Sequence, residues 1–322
     1  MNFLTYPLNP ANPGSLIPVA FSYLWSGLDL SRPRLLLDAA ARPKAVANFS
    51  IDHWLSKHSA GGFRLYRLPV ETIDVDELSK NCMYEIVTGE WPRCKCGRVE
   101  LYSESAAALS PRDLQLVEDG CCKLCQSALK PAPARGVVAF PRKQASEQFN
   151  ANLCFPKAVQ LQLRQKVADA PDYPILLTRQ RETAFRIRAA NESFFLDPGL
   201  FQLLSSWRHS RQVDKGDTVV VSGPDGLLAC VLGYYIDGDP PRHVFLPKFR
   251  VGSWPDLLAL PFDELALLLL AGTSWKRNRA VPNFADLGFI RRNKTELQKA
   301  IVEKRPGDLE DLASFNRSLL GG

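Results

Sequence analysis

Thr218–Leu246 reads TVVVSGPDGLLACVLGYYIDGDPPRHVFL. Three apolar runs, Thr218–Ser222, Leu227–Ile236 and His243–Leu246, alternate with SGPDG and DGDPP, in which Gly permits positive φ, Pro fixes φ and Asp bonds its own backbone. Apolar runs between such turns predict strands, and their close succession predicts an antiparallel meander. Upstream, Tyr173–Pro198 (YPILLTRQRETAFRIRAANESFFLDP) adds strand runs at Tyr173–Thr178 and Thr183–Arg188 around a polar RQRE turn. Phe201–Trp207 reads as a short helix between these strands, and Ala158–Ala168 (AVQLQLRQKVA) suits either helix or strand. Downstream the pattern turns helical, at Phe262–Ala271 with Gly272 as its stop, Thr295–Lys304 and Asp308–Leu319.

Toward the N-terminus, Ser15–Leu30 is largely apolar, Pro33–Ala41 can be helical, and Phe63–Val70 alternates like a strand. Residues 91–154 differ, holding six of the eight cysteines among Pro and Gly, with one helix expected between Ser110-Pro111 and Gly120. The fold class that follows is α+β: an N-terminal α+β segment over 1–90, a zinc-binding basic module over 91–157, an antiparallel β region over 158–254 and a basic helical subdomain over 255–322.

The 322 residues are 46% apolar and 23% charged, which supports a real core and, by length, about two domains. The longest purely apolar run, Leu265–Ala271 behind Asp263 and Glu264, falls far short of the ~20 residues that span a bilayer. No Lys or Arg precedes Arg32, and Pro7, Pro10 and Pro13 break the start, so a secretory signal is not expected and a cytoplasmic protein is. In that compartment cysteines are metal ligands or buried thiols rather than disulfides.

Cys94-Lys95-Cys96 and Cys122-Lys123-Leu124-Cys125 form two short knuckles whose thiolates can converge on one tetrahedral Zn²⁺, with Cys121 or Cys154 as substitute ligands. Four thiolates leave no open coordination position, so the metal is expected to be structural. CKLC followed by Asn150, Asn152, Cys154 and Lys157 shares residues with the HNH nuclease frame, but no histidine occurs between His58 and His209 to act as its base. Cys82 and Cys230 sit in apolar surroundings and read as small buried hydrophobes.

The net charge of +6 is unevenly spread. Lys130–Lys166 carries Lys130, Arg142 and Lys143 among its cations against the single acid Glu147, with Phe140, Phe149 and Phe155 interleaved. Arg179, Arg181, Arg186 and Arg188 fall on the expected hairpin, where alternate positions share a face. Lys276, Arg277, Asn278, Arg279, Arg291, Arg292 and Lys294 cluster near helix ends. All fourteen are candidate nucleic-acid contacts, by phosphate pairing or, for Arg142, Lys143, Asn278 and Arg279, by base reading. GxxxxGK[ST], a strand-borne GxGxxG, HExxH and GxSxG are all missing. Asp52 with His53 and His58, and Asp74 with Asp76 and Glu77, read as surface or loop groups, so no catalytic constellation is expected.

The order of parts, a cysteine knuckle (Cys122, Cys125), a basic tract, the strand pair in YPILLTRQRETAFRIRAANESFFLDP, and a basic helical C-terminus opened by LPFDELALLLLAGTSWKR, resembles the large-subunit zinc-finger protein of type IV CRISPR effector complexes over residues 90–280. The resemblance implies a non-catalytic subunit at the crRNA 5′ end that contacts the protospacer-adjacent duplex. Guide RNA, target DNA and backbone subunits would be its partners, a helicase would act in trans, and guide pairing would supply most of the specificity. The competing readings are a stand-alone zinc-ribbon DNA-binding regulator, whose C-terminal helices would read half-sites as a dimer, and an enzyme whose site is assembled from distant acids.

Overall fold

The computed structural model of the chain describes residues 2–5, 18, 22, 33–37, 64–67, 72–101, 117–155, 157–183, 185–213, 218–223, 226–246, 248–249, 256, 259–270, 273–276, 279–282 and 286–303. The chain opens with strands β1 (Asn2–Thr5), β2 (Pro33–Leu37), β3 (Arg64–Arg67) and β4 (Thr72–Asp74). The long strand β5 (Cys82–Arg93) pairs with β8 (Lys130–Pro141), and β6 (Val117–Glu118) and β7 (Cys121–Cys122) lie between them in sequence. Helix α1 (Lys143–Ser146), strand β9 (Cys154–Phe155) and helix α2 (Lys157–Asp169) come next. Four short strands follow, β10 (Ile175–Leu176), β11 (Thr178–Arg179), β12 (Arg186–Ala189) and β13 (Glu192–Leu196). Then come α3 (Pro198–Val213), β14 (Thr218–Ser222), α4 (Gly226–Asp237), β15 (His243–Phe245) and β16 (Lys248–Phe249). Helix α5 (Phe262–Leu270), the hairpin β17 (Thr273–Lys276) and β18 (Arg279–Pro282), and helices α6 (Leu287–Arg292) and α7 (Lys294–Glu303) complete the described elements.

The protein is mixed α and β, with antiparallel pairing in the β5–β8, β12–β13 and β17–β18 hairpins. Its largest sheet, however, is parallel throughout, in the order β3-β2-β1-β14-β15-β9. The expected meander over Thr218–Leu246 is therefore corrected. Thr218–Ser222 and His243–Phe245 are parallel neighbours, with Val220 opposite His243, and the run between them is helix α4. Cys230, Val231, Leu232, Tyr234, Tyr235 and Ile236 are all buried, so α4 is apolar on nearly every side and shows no 3.6-residue stripe from which a helix could be told. Val219, Val220 and Val221 are buried in succession, as in a strand covered on both faces.

Pro33–Leu37, expected as the start of a helix, is strand β2, because pairing to β1 on one side and β3 on the other outweighs the helix preference of three leucines. Arg179 and the Arg186–Arg188 segment do not form one hairpin. They flank β13 on opposite sides, in a sheet ordered β11-β13-β12-β4. The tight hairpin is β12–β13, turned at Ala190 and Asn191, whose φ values of 47° and 66° match a two-residue turn with the strands' own twist. Helices α2, α3, α5 and α7 cover or adjoin their expected segments. The helix expected over Asp308–Leu319 lies outside the described residues, as does the start of the one expected between Ser110 and Gly120, whose last part is instead strand β6, because Val117 and Glu118 pair with Cys122 and Cys121.

One core joins these layers. Val137, Ile175, Phe185 and Phe201 pack in the same cluster as Val220, Tyr235 and Phe245, so the base of the β5–β8 hairpin and the parallel sheet share their interior. Cys82 and Cys230 are buried there as apolar side chains. Among the described residues no helix is long and apolar enough to cross a membrane.

Candidate functional site

Far from that core, β5 and β8 carry a small module. Just past β5 the chain turns at Cys94-Lys95-Cys96-Gly97, with the Gly97 amide donating to the Cys94 carbonyl (3.0 Å) and Gly97 at φ 65°, where a Cβ is costly. After β7 the Gln126 amide donates to the Cys122 carbonyl (2.8 Å), with Gln126 at φ 55°. Each turn directs two thiols inward, and the sulfurs of Cys94, Cys96, Cys122 and Cys125 all lie within 4.8 Å of one another. A tetrahedron with metal–sulfur bonds of ~2.3 Å has edges of roughly 3.8 Å. Cys96 Sγ and Cys122 Sγ are 3.8 Å apart, at that spacing, and Cys94 Sγ and Cys96 Sγ are closer, at 3.1 Å, so the four sulfurs could hold a metal ion once that pair opens by a few tenths of an ångström.

The electrostatics of the cluster are those of thiols competing for charge. Burial and the Cys94 hydrogen bond push Cys96 up to about 12, whereas hydrogen bonds from the Ser127 hydroxyl (2.9 Å) and amide pull Cys125 down to about 6. The Val99 amide donates to Cys94 Sγ (3.3 Å), the kind of support that orients a thiolate ligand. Among the described residues the module's apolar cluster is Cys94, Val99, Leu101 and Cys122, with Cys96, Val117 and Leu129 against them, a small core of the kind that a metal commonly completes. The alternative ligands are excluded by position: Cys121 lies outside the cluster and bridges Ala128 through its backbone, while Cys154 sits in the main core on β9.

A second site follows from the parallel sheet. From β1 the chain winds outward through β2 and β3 on one side, then returns to β14 on the other and continues to β15. Strand order thus reverses between β1 and β14, and the crevice beyond the carboxyl ends of such a strand pair is where open α/β sheets bind ligands. β14 ends at Ser222 and turns at once into α4, with the Gly226 amide donating to the Gly223 carbonyl (3.0 Å). A Cβ on Gly226 would lie 2.2 Å from Ser222 Oγ, so only glycine lets the helix start this close to the strand. Beneath the turn, Ser222 Oγ and His243 Nε2 are hydrogen-bonded at 2.8 Å, both fully buried, and His243 lies against Phe245 (4.0 Å) and the edge of Trp207. Burial holds His243 down at about 3, so it is neutral. This switch point was missed in the sequence because the turn SGPDG lacks the spacing of the GxGxxG and Walker fingerprints.

The candidate nucleic-acid contacts are scattered, and internal carboxylates occupy several of them. Arg179 pairs with Asp197 (2.9 Å), Arg188 with Asp74 (2.7 Å), Arg291 with Glu264 (2.9 Å) and Lys294 with Asp263. Arg186 stacks over Phe195 at 3.9 Å. Lys130, Arg142, Lys143, Arg181 and Arg292 are exposed. Of these, Arg181 lies beside the first knuckle, 3.9 Å from where a Gly97 Cβ would be, and Lys130 stands opposite Arg93 in the β5–β8 ladder. Lys276 and Arg279 are register partners on β17 and β18, while Arg277 and Asn278 lie outside the described residues.

No family model matches the chain, and no curated protein does. Solved structures do. A Mycobacterium tuberculosis methionyl-tRNA synthetase in complex with methionyl-adenylate matches 93% of this chain and 69% of its own, at 11% identity and a TM-score of 0.58. A second structure of that synthetase bound by methionyl-adenylate matches the same shares at 12% identity and a TM-score of 0.55. The fold is thus like that of an enzyme. The expectation of a chain with no chemistry of its own is corrected on that ground: it rested on missing short motifs, and a site assembled at a sheet switch point needs none of them.

Proposed function

We propose that this chain binds an adenylate in the crevice beyond β1 and β14, and that its cysteine module holds a structural Zn²⁺. The reversal of strand order at β1 and β14, closed by the glycine-dependent start of α4, carries the first part. The fold likeness to a synthetase complexed with methionyl-adenylate supports it from outside the chain. Charge narrows the ligand. Residues 1–31, which include β1 and the segment after it, contain no Lys, Arg or His, and neither do residues 223–237 after β14. A triphosphate would meet no cation from either segment, whereas the single negative charge of an acyl-adenylate asks less of the site. The reaction class to assay is attack of a carboxylate oxygen on the α-phosphorus of ATP with pyrophosphate leaving.

The test is calorimetry with a stable acyl-sulfamoyl adenosine, AMP and ATP. Binding of the first in preference to ATP is expected, accompanied by a rise in melting temperature. No binding of any adenosine compound at millimolar concentration would sink the proposal. For zinc, four cysteine sulfurs within 4.8 Å of one another are the support, and elemental analysis of freshly isolated protein is the check. Membership of a type IV CRISPR complex keeps in its favour only the order of parts along the sequence, and co-purification of guide RNA with repeated backbone subunits is what would establish it.

A further inference from the structure

At the end of the β5–β8 ladder Arg93 stands opposite Lys130, and both are exposed. Like charges directly opposite one another destabilise a sheet. The pair shares its face with Trp91, two positions earlier, and the chain reaches that face at Thr178, since a Cβ on Gly136 would meet both Thr178 Oγ1 and the Trp91 ring. Gln180 is then held from both ends, its amide donating to Glu100 (2.8 Å) and its Nε2 to the Arg135 carbonyl (2.8 Å). Arg181 follows, exposed, with Cδ 3.9 Å from the Cβ position of Gly97 in the first knuckle. Lys95 and Arg98, on either side of Gly97, are exposed as well, and the Lys95 amide donates to Ser127 Oγ (3.3 Å) beside the second knuckle. Among the described residues none of these five cations is in an ion pair. Of the acids near them in sequence, Glu100 is buried beneath Gln180, Glu118 pairs with Lys123 (3.6 Å) and Glu90 alternates to the other face of β5, which leaves the exposed Glu182 and Asp119 against five positive charges.

We propose that Arg93, Lys95, Arg98, Lys130 and Arg181 bind the phosphodiester backbone of a nucleic acid. Three of the five are arginines, whose planar forks match phosphate oxygens. Their backbones are fixed by a strand ladder, by a turn that needs Gly97 at φ 65° and by the twice-anchored Gln180, so little ordering is left for the ligand to impose. A lone phosphate would engage one or two of these groups; five, spread over two strands, a turn and a loop, suit successive phosphates. Trp91 is buried, so it offers no ring to a base, and the contact is to backbone and indifferent to sequence. A protein partner would need an apolar centre, and among the described residues of the module Leu124 is the one large apolar side chain exposed. The surface is independent of the adenylate crevice and stands or falls separately.

The experiment measures fluorescence anisotropy over a salt series with the full chain and two labelled probes, an oligouridylate of about twenty nucleotides and a DNA duplex of about twenty base pairs. The tighter of the two identifies the strand form. Wild type should show a log–log salt slope of about −0.7 per phosphate contacted on the single strand and about −0.9 on the duplex. The triple variant Lys95→Gln, Arg98→Gln, Arg181→Gln should lose roughly two units of that slope on the first probe or roughly three on the second. Arg181→Gln alone should lose about 0.7 to 0.9, and because it lies outside the cysteine segment it keeps the test decisive if changes in the knuckle disturb folding. Two controls should leave the slope unchanged: Lys166→Gln, an exposed cation on α2, and Arg188→Gln, whose guanidinium serves Asp74. An unchanged slope in the triple variant and in Arg181→Gln, equal losses in the two controls, or tighter binding of polyglutamate than of either probe at equal charge would overturn the proposal.

Discussion

His243 shows how much a single buried side chain can determine. It is fully enclosed and bonded to Ser222 Oγ through Nε2, and its burial keeps it neutral in the folded protein down to about pH 3. The unfolded chain takes up that proton near 6.5. Below that value the unfolded state binds more protons, so stability falls as pH drops from 6.5 toward 3 and is unaffected by this group above 6.5. Within that window the loss is about 1.4 kcal/mol per pH unit from His243 alone. Urea titrations at stepped pH should show that slope in wild type and a shallower one in His243→Gln. Gly226 makes a second point at this scale. Gly226→Ala places a methyl group against Ser222 and should cost about 1–3 kcal/mol, readable as a lower urea midpoint with unchanged m.

At the scale of elements, the β12–β13 hairpin and the cysteine module contrast. The hairpin is set by local chemistry, yet one of its two turn positions is Ala190 at φ 47°, which an L-residue with a Cβ adopts at a cost. Ala190→Gly should stabilise the protein by about 0.5–1 kcal/mol, measured as a raised midpoint in denaturant. The module, on the proposed reading, would depend on a bound metal instead. Cys125→Ser removes the one exposed ligand and should release the ion without unfolding the rest, because the module's buried cluster is separate from the main core. Hydrogen exchange is the readout. Amides at Val99 and Cys122 should lose protection in the variant, while those at Val220 and Val221 keep it.

Across the whole molecule, the parallel sheet and the β5–β8 hairpin share one core, from Val137 and Ile175 through Phe201 to Val220 and Phe245. Proteins with a shared core unfold together. Chelated protein should accordingly retain one cooperative transition for the sheet and the hairpin base, at nearly the midpoint of the metal-loaded protein. Two well-separated transitions within those residues would show that the layers are independent.

The sequence alone determined the two cysteine pairs, since Cys94 with Cys96 and Cys122 with Cys125 are each close along the chain and knuckle geometry is local, whereas the meeting of the two pairs in one cluster that could hold a metal is a long-range outcome. It also determined the helices at Phe201–Trp207, Phe262–Leu270 and Thr295–Glu303, where stop signals and apolar density act over a few residues. It did not determine strand direction. Thr218–Ser222, Leu227–Ile236 and His243–Phe245 are apolar whether the middle run is a strand in a meander or a helix crossing between parallel neighbours, and full burial erases the periodicity that separates the two. Only the return of the chain to β1, more than two hundred positions away in sequence, made β14 parallel and set the point at which strand order reverses. The arginines follow the same division. Their clustering is visible in the sequence, but Asp74, Asp197 and Glu264, which engage Arg188, Arg179 and Arg291, come from distant segments. Charge partners and strand neighbours are long-range choices, made by whichever packing buries the most apolar surface, and only tertiary structure could settle them.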